Sequence, residues 1–169
     1  VVASNRLDNF VSEITKSSRS KAEEYIMSER VFINGITELK NSKKFCPHFH
    51  LSLQSACNNT LKRMNRHYTI EEFKEIVKKI KQKFKNPHIA TDIIVGFKGE
   101  TDEEFDDTVK NLKEIEFSSM HIFPYSERSG TVASKMGGSV DKCITKQRES
   151  ILQELNTEFR AKFIKENLA

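Results

Sequence analysis

The stretch Cys46-Pro47-His48-Phe49-His50-Leu51-Ser52-Leu53-Gln54-Ser55 concentrates side chains that can do chemistry. An extended chain sends successive side chains to opposite faces, which places Phe49, Leu51 and Leu53 on one side and His48, His50, Ser52 and Gln54 on the other. A strand packed between helices is normally apolar on both faces. A row of imidazole, hydroxyl and amide groups therefore points to a ligand-facing surface or to an edge strand whose polar face meets water. Cys46, His48 and His50 alternate in a way that invites zinc. Known zinc sites pair ligands across a turn or along a helix and need a fourth partner. No such partner is evident, so no metal site is expected and the histidines are assigned to the lining of the sheet. Cys57 has no identifiable neighbouring base to activate it, and no catalytic residue is assigned.

The elements that must position these groups follow from periodicity. Ile89–Phe97 reads as a buried strand carrying one acid, Asp92, and ending near Gly96. Met120–Tyr125 reads as a third strand, with His121 and Tyr125 on one face. Thr69-Ile70-Glu71-Glu72 and Thr101-Asp102-Glu103-Glu104 each have the pattern of a capping box that opens a helix. Phe73, Ile76, Val77, Ile80 and Phe84 then recur at helical spacing, as do Phe105, Val109, Leu112 and Ile115. From Phe45 onward the order is β, short α, α, β, α, β, α. Such alternation implies α/β architecture: a parallel sheet with right-handed crossovers, and three such strands make about half of a barrel. Gln54-Ser55, Gly96 with Gly99-Glu100, and Tyr125-Ser126 with Arg128 fall at strand C-terminal ends, where barrels place their chemistry.

Three segments, CPHFHLSLQSACNNTLKRMNRHYT (46–69), TDIIVGFKGETDEEF (91–105) and FPYSERSGTVASKM (123–136), resemble the C-terminal half of the radical-SAM barrel of tRNA methylthiotransferases, nearest the branch acting on threonylcarbamoyladenosine. The likeness covers roughly residues 43–169. It implies S-adenosylmethionine and a four-iron, four-sulfur cluster as cofactors, and transfer of a methylthio group to an adenosine beside the anticodon of tRNA. Carried over by position, it assigns Gln54 and Ser55 to the adenosylmethionine site. Arg63 and Arg66 match a basic turn that could hold the methionine carboxylate by a forked pair of hydrogen bonds. Asp92 and Gly96 match a strand whose glycine lets backbone approach the cofactor, and Tyr125 and Arg128 match a motif at the barrel mouth. Ala56 and Lys98 stand where the family usually has glycine and proline; Ala56 is expected to crowd a turn and Lys98 to loosen a loop. The cluster needs CxxxCxxC, whereas the cysteines here are Cys46, Cys57 and Cys143, no two at that spacing. The isolated chain is therefore expected to be inactive.

Residues 1–44 resemble a truncated S4-type RNA-binding domain, a small α+β head joined to the barrel half near residues 39–45. Phe10, Val11 and Ile14 mark one helix face, Ala22, Tyr25 and Ile26 another, and Val31-Phe32-Ile33 a strand closed by Asn34-Gly35. The resemblance assigns Lys16, Arg19, Lys21 and Arg30 to phosphate contact with tRNA or another structured RNA. Two functions compete: a portion of a methylthiotransferase, or a non-catalytic S4-type RNA-binding protein. A formal charge of +4 over 169 residues is compatible with either. Scattered cysteines point to a reducing cytoplasm rather than a disulfide framework. No apolar run approaches membrane-spanning length and no signal peptide is seen.

Overall fold

The computed structural model of the protein describes residues 46–168. The S4-like reading, with Lys16, Arg19, Lys21 and Arg30, lies outside the described residues. The elements are β1 (His48–His50), α1 (Asn58–Arg63), α2 (Ile70–Lys83), β2 (His88–Val95), α3 (Asp102–Ile115), β3 (Ser119–Pro124), a short 3-10 turn (Ala133–Lys135) and α4 (Lys142–Leu168). This is the expected α/β order. The sheet runs β1-β2-β3 with both pairings parallel.

Helices cover one face of the sheet. Ile89, Thr91, Ile93 and Val95 of β2 point into the helix layer and are all but inaccessible. They are joined by Leu53, Met120 and Ile122, and meet Phe73, Val77 and Ile80 of α2, Phe105, Leu112 and Ile115 of α3, and Leu152, Leu155 and Phe159 of α4. Each large aliphatic side chain so buried contributes about 1.5–3 kcal/mol of transfer free energy. Ile76, expected inside, is 39% exposed. It lies about 60° off the line through Phe73, Val77 and Ile80 at 100° per residue. Both capping boxes form. Thr69 Oγ1 accepts from the Glu72 N–H and the Thr69 N–H donates to Glu72 Oε2, and Thr101 and Glu104 repeat the arrangement. Lys81, near the end of α2, donates to the Ile115 and Glu116 carbonyls at 2.7 and 2.9 Å. It thereby closes the C-terminal end of α3.

The segment read as a single strand over 46–55 is more irregular. Only His48–His50 is regular strand; beyond it the chain meets β2 again at an isolated bridge between Gln54 and Ile93. His50 pairs with Ala90, so four steps along this segment face three along β2. One residue is surplus, and the backbone absorbs it with Gln54 in the left-handed region, φ 70°. Thr91 mends the gap: its hydroxyl accepts from the Leu53 N–H at 3.2 Å and donates to the Leu51 carbonyl at 2.6 Å. Gln54 is thereby taken out of the strict alternation expected for it.

Candidate functional site

The face of the sheet opposite the helices carries His48, His50 and Ser52 beside β2, with Ala90, Asp92 and Ile94 paired to Ser119, His121 and Phe123. Asp92 is the hub. Its Oδ2 lies 2.9 Å from His50 Nε2 and accepts from Ser52 Oγ at 3.4 Å, while its Oδ1 lies 3.3 Å from His121 Nδ1. The two imidazoles face each other at 5.5 Å between centroids. Tyr68 donates from its hydroxyl to the Ser52 and Leu53 carbonyls, at 3.0 and 2.8 Å, and fixes the backbone beneath this group. Cys46 and His48 do not join it: Cys46 is exposed, and the His48 ring stacks on His88 at 4.4 Å. Sequence reasoning placed these residues on polar faces but did not bring His50, Asp92 and His121 together. The missing information was the pairing of Asp92 with His121.

At the C-terminal ends of the strands the expected residues divide. Backbone bonds join the three ends, Gln54 N–H to the Asp92 carbonyl and Tyr125 N–H to the Val95 carbonyl, both 2.8 Å. Gln54 is half-buried, and Arg66, also half-buried, has no side-chain partner among the described residues. The Tyr125 ring packs edge-on against Phe97 at 5.0 Å, and its hydroxyl is buried without a hydrogen-bond partner among the described residues. Arg128 is exposed on the following loop.

Five positions have partners or packing internal to the fold. Ser55 is 2% exposed, and its hydroxyl accepts from the Cys57 N–H at 3.3 Å, a turn-holding role. Arg63 already holds a carboxylate, but an internal one. Its Nη1 donates to Glu104 Oε1 at 2.8 Å, its Nη2 to Glu104 Oε2 and to Thr60 Oγ1, and its Nε to the Lys98 carbonyl at 3.1 Å. The Glu104 hydrogen bonds raise the Arg63 pKa, and the same pair lowers that of Glu104. Gly96 has φ +71°, and a Cβ there would fall 2.5 Å from Thr145 Oγ1. Glycine is required by that backbone and by α4, with no ligand invoked. Lys98 does not loosen its loop. It is buried, and its ammonium reaches Glu127 Oε2 at 2.6 Å and Ser139 Oγ at 2.8 Å, tying the loops after β2 and β3 together. Ala56 packs fully buried without a left-handed backbone, and its carbonyl accepts from Asn111 at 2.8 Å.

Glu100 was expected at the rim and is instead locked inward. It bonds Arg148 Nη1 at 2.6 Å and the Gly96 N–H at 3.2 Å, while Arg148 Nη2 reaches Asp102 at 2.6 Å. Burial pushes the Glu100 carboxyl up against the pull of those donors. The sequence contained both members of this pair, and of Arg63–Glu104, but nothing local linked them.

Residues 13–112 match the family model of the Radical SAM superfamily. The chain belongs to the radical SAM superfamily. Among curated relatives, a threonylcarbamoyladenosine tRNA methylthiotransferase of Aquifex aeolicus is 46% identical over 75% of this chain and 31% of its own length. A tRNA-2-methylthio-N(6)-dimethylallyladenosine synthase of Alkaliphilus oremlandii is 44% identical over 80% of this chain and 28% of its own length. A threonylcarbamoyladenosine tRNA methylthiotransferase of Bacillus subtilis is 36% identical over 94% of this chain and 34% of its own length. The chain thus spans about a third of these relatives. Coproporphyrinogen III oxidase of Escherichia coli, a radical SAM enzyme, shares the fold with TM-score 0.62 at 16% identity, over 77% of this chain and 30% of that one. The family match begins at residue 13 and the Bacillus alignment leaves only 6% of the chain uncovered, so both run into residues 1–44. The S4 reading of that segment receives no support from them.

The superfamily implies S-adenosylmethionine and a four-iron, four-sulfur cluster. The residues present do not fit the cluster. Cys46 and Cys143 are exposed, Cys57 is buried at the start of α1, and no two share the CxxxCxxC spacing. At the strand ends the Tyr125 hydroxyl is the polar group left without a hydrogen-bond partner among the described residues. Among the described residues, no helix is long and apolar enough to cross a membrane.

Proposed function

We propose that this chain is a portion of a radical SAM methylthiotransferase that modifies an adenosine beside the anticodon of tRNA, and that it supplies the C-terminal half of the barrel. Support comes first from 36–46% identity to enzymes named for that reaction, over most of this chain. The two named specificities match at 46% and 44%, and the threonylcarbamoyladenosine branch is the one taken here. In this reading Gln54, Arg66 and Tyr125 contact adenosylmethionine, with Arg128 at the mouth. Ser55, Arg63, Asp92 and Gly96 hold the surrounding backbone and sheet. A guanidinium at Arg66 can take a carboxylate by two parallel hydrogen bonds. No cluster-dependent step is assigned to this chain, because its cysteines cannot hold the cluster.

Isothermal titration with adenosylmethionine tests the site. The chain is expected to bind it, and Gln54→Ala and Arg66→Ala each to weaken binding by about tenfold, the worth of one lost charge-assisted contact, with melting temperature retained. Absence of binding by the parent chain would overturn the assignment. Anaerobic incubation with iron, sulfide and tRNA, followed by mass analysis of nucleosides, is expected to give no methylthiolated product. Such a product would refute the claim that the chain is inactive alone.

A further inference from the structure

We propose that His50, Asp92 and His121 form a binding site for a first-row divalent metal ion on the open face of the sheet. This goes beyond the adenosylmethionine reading and does not depend on it. One donor comes from each chain segment of the sheet: Nε2 of His50, a carboxylate oxygen of Asp92 and Nδ1 of His121. Their ligand atoms all lie within 4.8 Å of one another. Ligands about 2.0–2.2 Å from an ion stand roughly 3–3.5 Å apart in a tetrahedral or facial arrangement. The observed separations are 2.9 Å from His50 Nε2 to Asp92 Oδ2 and 3.3 Å from His121 Nδ1 to the other carboxylate oxygen, Oδ1.

Asp92 and His121 sit at paired positions in β2 and β3. Their spacing is therefore set by a parallel ladder rather than by a loop, the kind of support that holds a ligand set in place. Each carboxylate oxygen of Asp92 lies beside one imidazole nitrogen, Oδ2 by His50 and Oδ1 by His121. A metal ion seated among these groups would take each imidazole nitrogen through its lone pair. His50, Asp92 and His121 side chains are 39, 24 and 60% exposed, so the ion has a path in. Two imidazoles and one carboxylate suit zinc, iron(II), cobalt or nickel over calcium or magnesium. Three protein ligands leave positions open for water or an oxygen-bearing ligand, unlike the closed shell of a structural zinc site. Ser52 Oγ, 3.4 Å from Asp92 Oδ2, stands beside this set.

The test uses the full chain stripped with chelator, zinc chloride by isothermal titration, and cobalt chloride by visible absorption. One zinc ion per chain is expected, with cobalt d–d bands that lack thiolate charge transfer. His50→Ala, Asp92→Asn and His121→Ala are each expected to weaken zinc binding by about 100-fold. Cys46→Ser with Cys143→Ser is expected to leave it unchanged. His121→Ala removes an exposed side chain, so it is the variant that keeps the test independent of folding, checked by circular dichroism. The proposal is overturned if the parent binds no zinc, if the histidine variants bind as the parent does, or if the cysteine variants abolish binding. Adenosylmethionine titration of His121→Ala separates the two readings: unchanged affinity is expected. A comparable loss for adenosylmethionine and zinc would show that the residue serves the cofactor site and overturn a separate metal centre.

Discussion

Replacing Arg63 by methionine removes a guanidinium that makes four hydrogen bonds, two of them to one carboxylate. Glu104 is left with its side chain only 10% exposed and without its cationic partner, while Arg63 itself is 26% exposed. A fully buried pair broken on one side costs about 3–5 kcal/mol and a surface pair about 0–1 kcal/mol. The intermediate exposure places Arg63→Met at about 2–3 kcal/mol. At about 3–4 °C per kcal/mol for a domain of this size, the melting temperature should fall by about 6–12 °C. Glu104→Gln, which preserves the helix cap, should cost less. A double-mutant cycle by thermal unfolding should return a coupling of about 1–2 kcal/mol. The pH dependence has a definite sign. The Glu104 carboxyl is held below its ordinary range by Arg63, so the stabilisation is complete above the unfolded pKa, near ~4.3, and is lost as pH falls through the lower folded value. The gap between the parent chain and Glu104→Gln should therefore narrow in acid. An Arg63→Met chain that melts with the parent yet no longer binds adenosylmethionine would refute this reasoning and return Arg63 to the ligand.

Thr91→Val keeps the volume of a side chain with no exposure but leaves the Leu53 N–H and the Leu51 carbonyl without their partner. It should cost about 1–3 kcal/mol by chemical denaturation, and hydrogen exchange at Leu53 should accelerate first. Lys98→Met removes the ties to Glu127 and Ser139. It should lower stability by about 1–2 kcal/mol, and limited proteolysis should cut within residues 125–141 faster than in the parent, with little change elsewhere.

Much of the architecture was legible because it is local. Thr69 with Glu72, and Thr101 with Glu104, announce their helices within four residues, since a capping box is satisfied by the segment that contains it. The apolar face of β2 and the polar row of His48, His50 and Ser52 follow from period-two alternation, which needs no knowledge of a partner strand. The alternation failed at Gln54 because the register slip depends on how β2 is matched, and the hydroxyl that repairs it belongs to Thr91, on the other strand.

The chemistry divides the same way. Residue order alone determined the strand-helix alternation, the presence of histidines, an acid and basic groups near strand ends, and the lack of a CxxxCxxC loop. Tertiary structure alone decided which charges find each other. Arg63 takes Glu104, Lys98 takes Glu127, Arg148 takes Glu100, and Asp92 gathers His50 and His121. These partners lie between 29 and 48 residues apart in the chain. A charge-assisted hydrogen bond acts over about 3 Å, so no local pattern can specify it until the parallel sheet has brought those segments side by side.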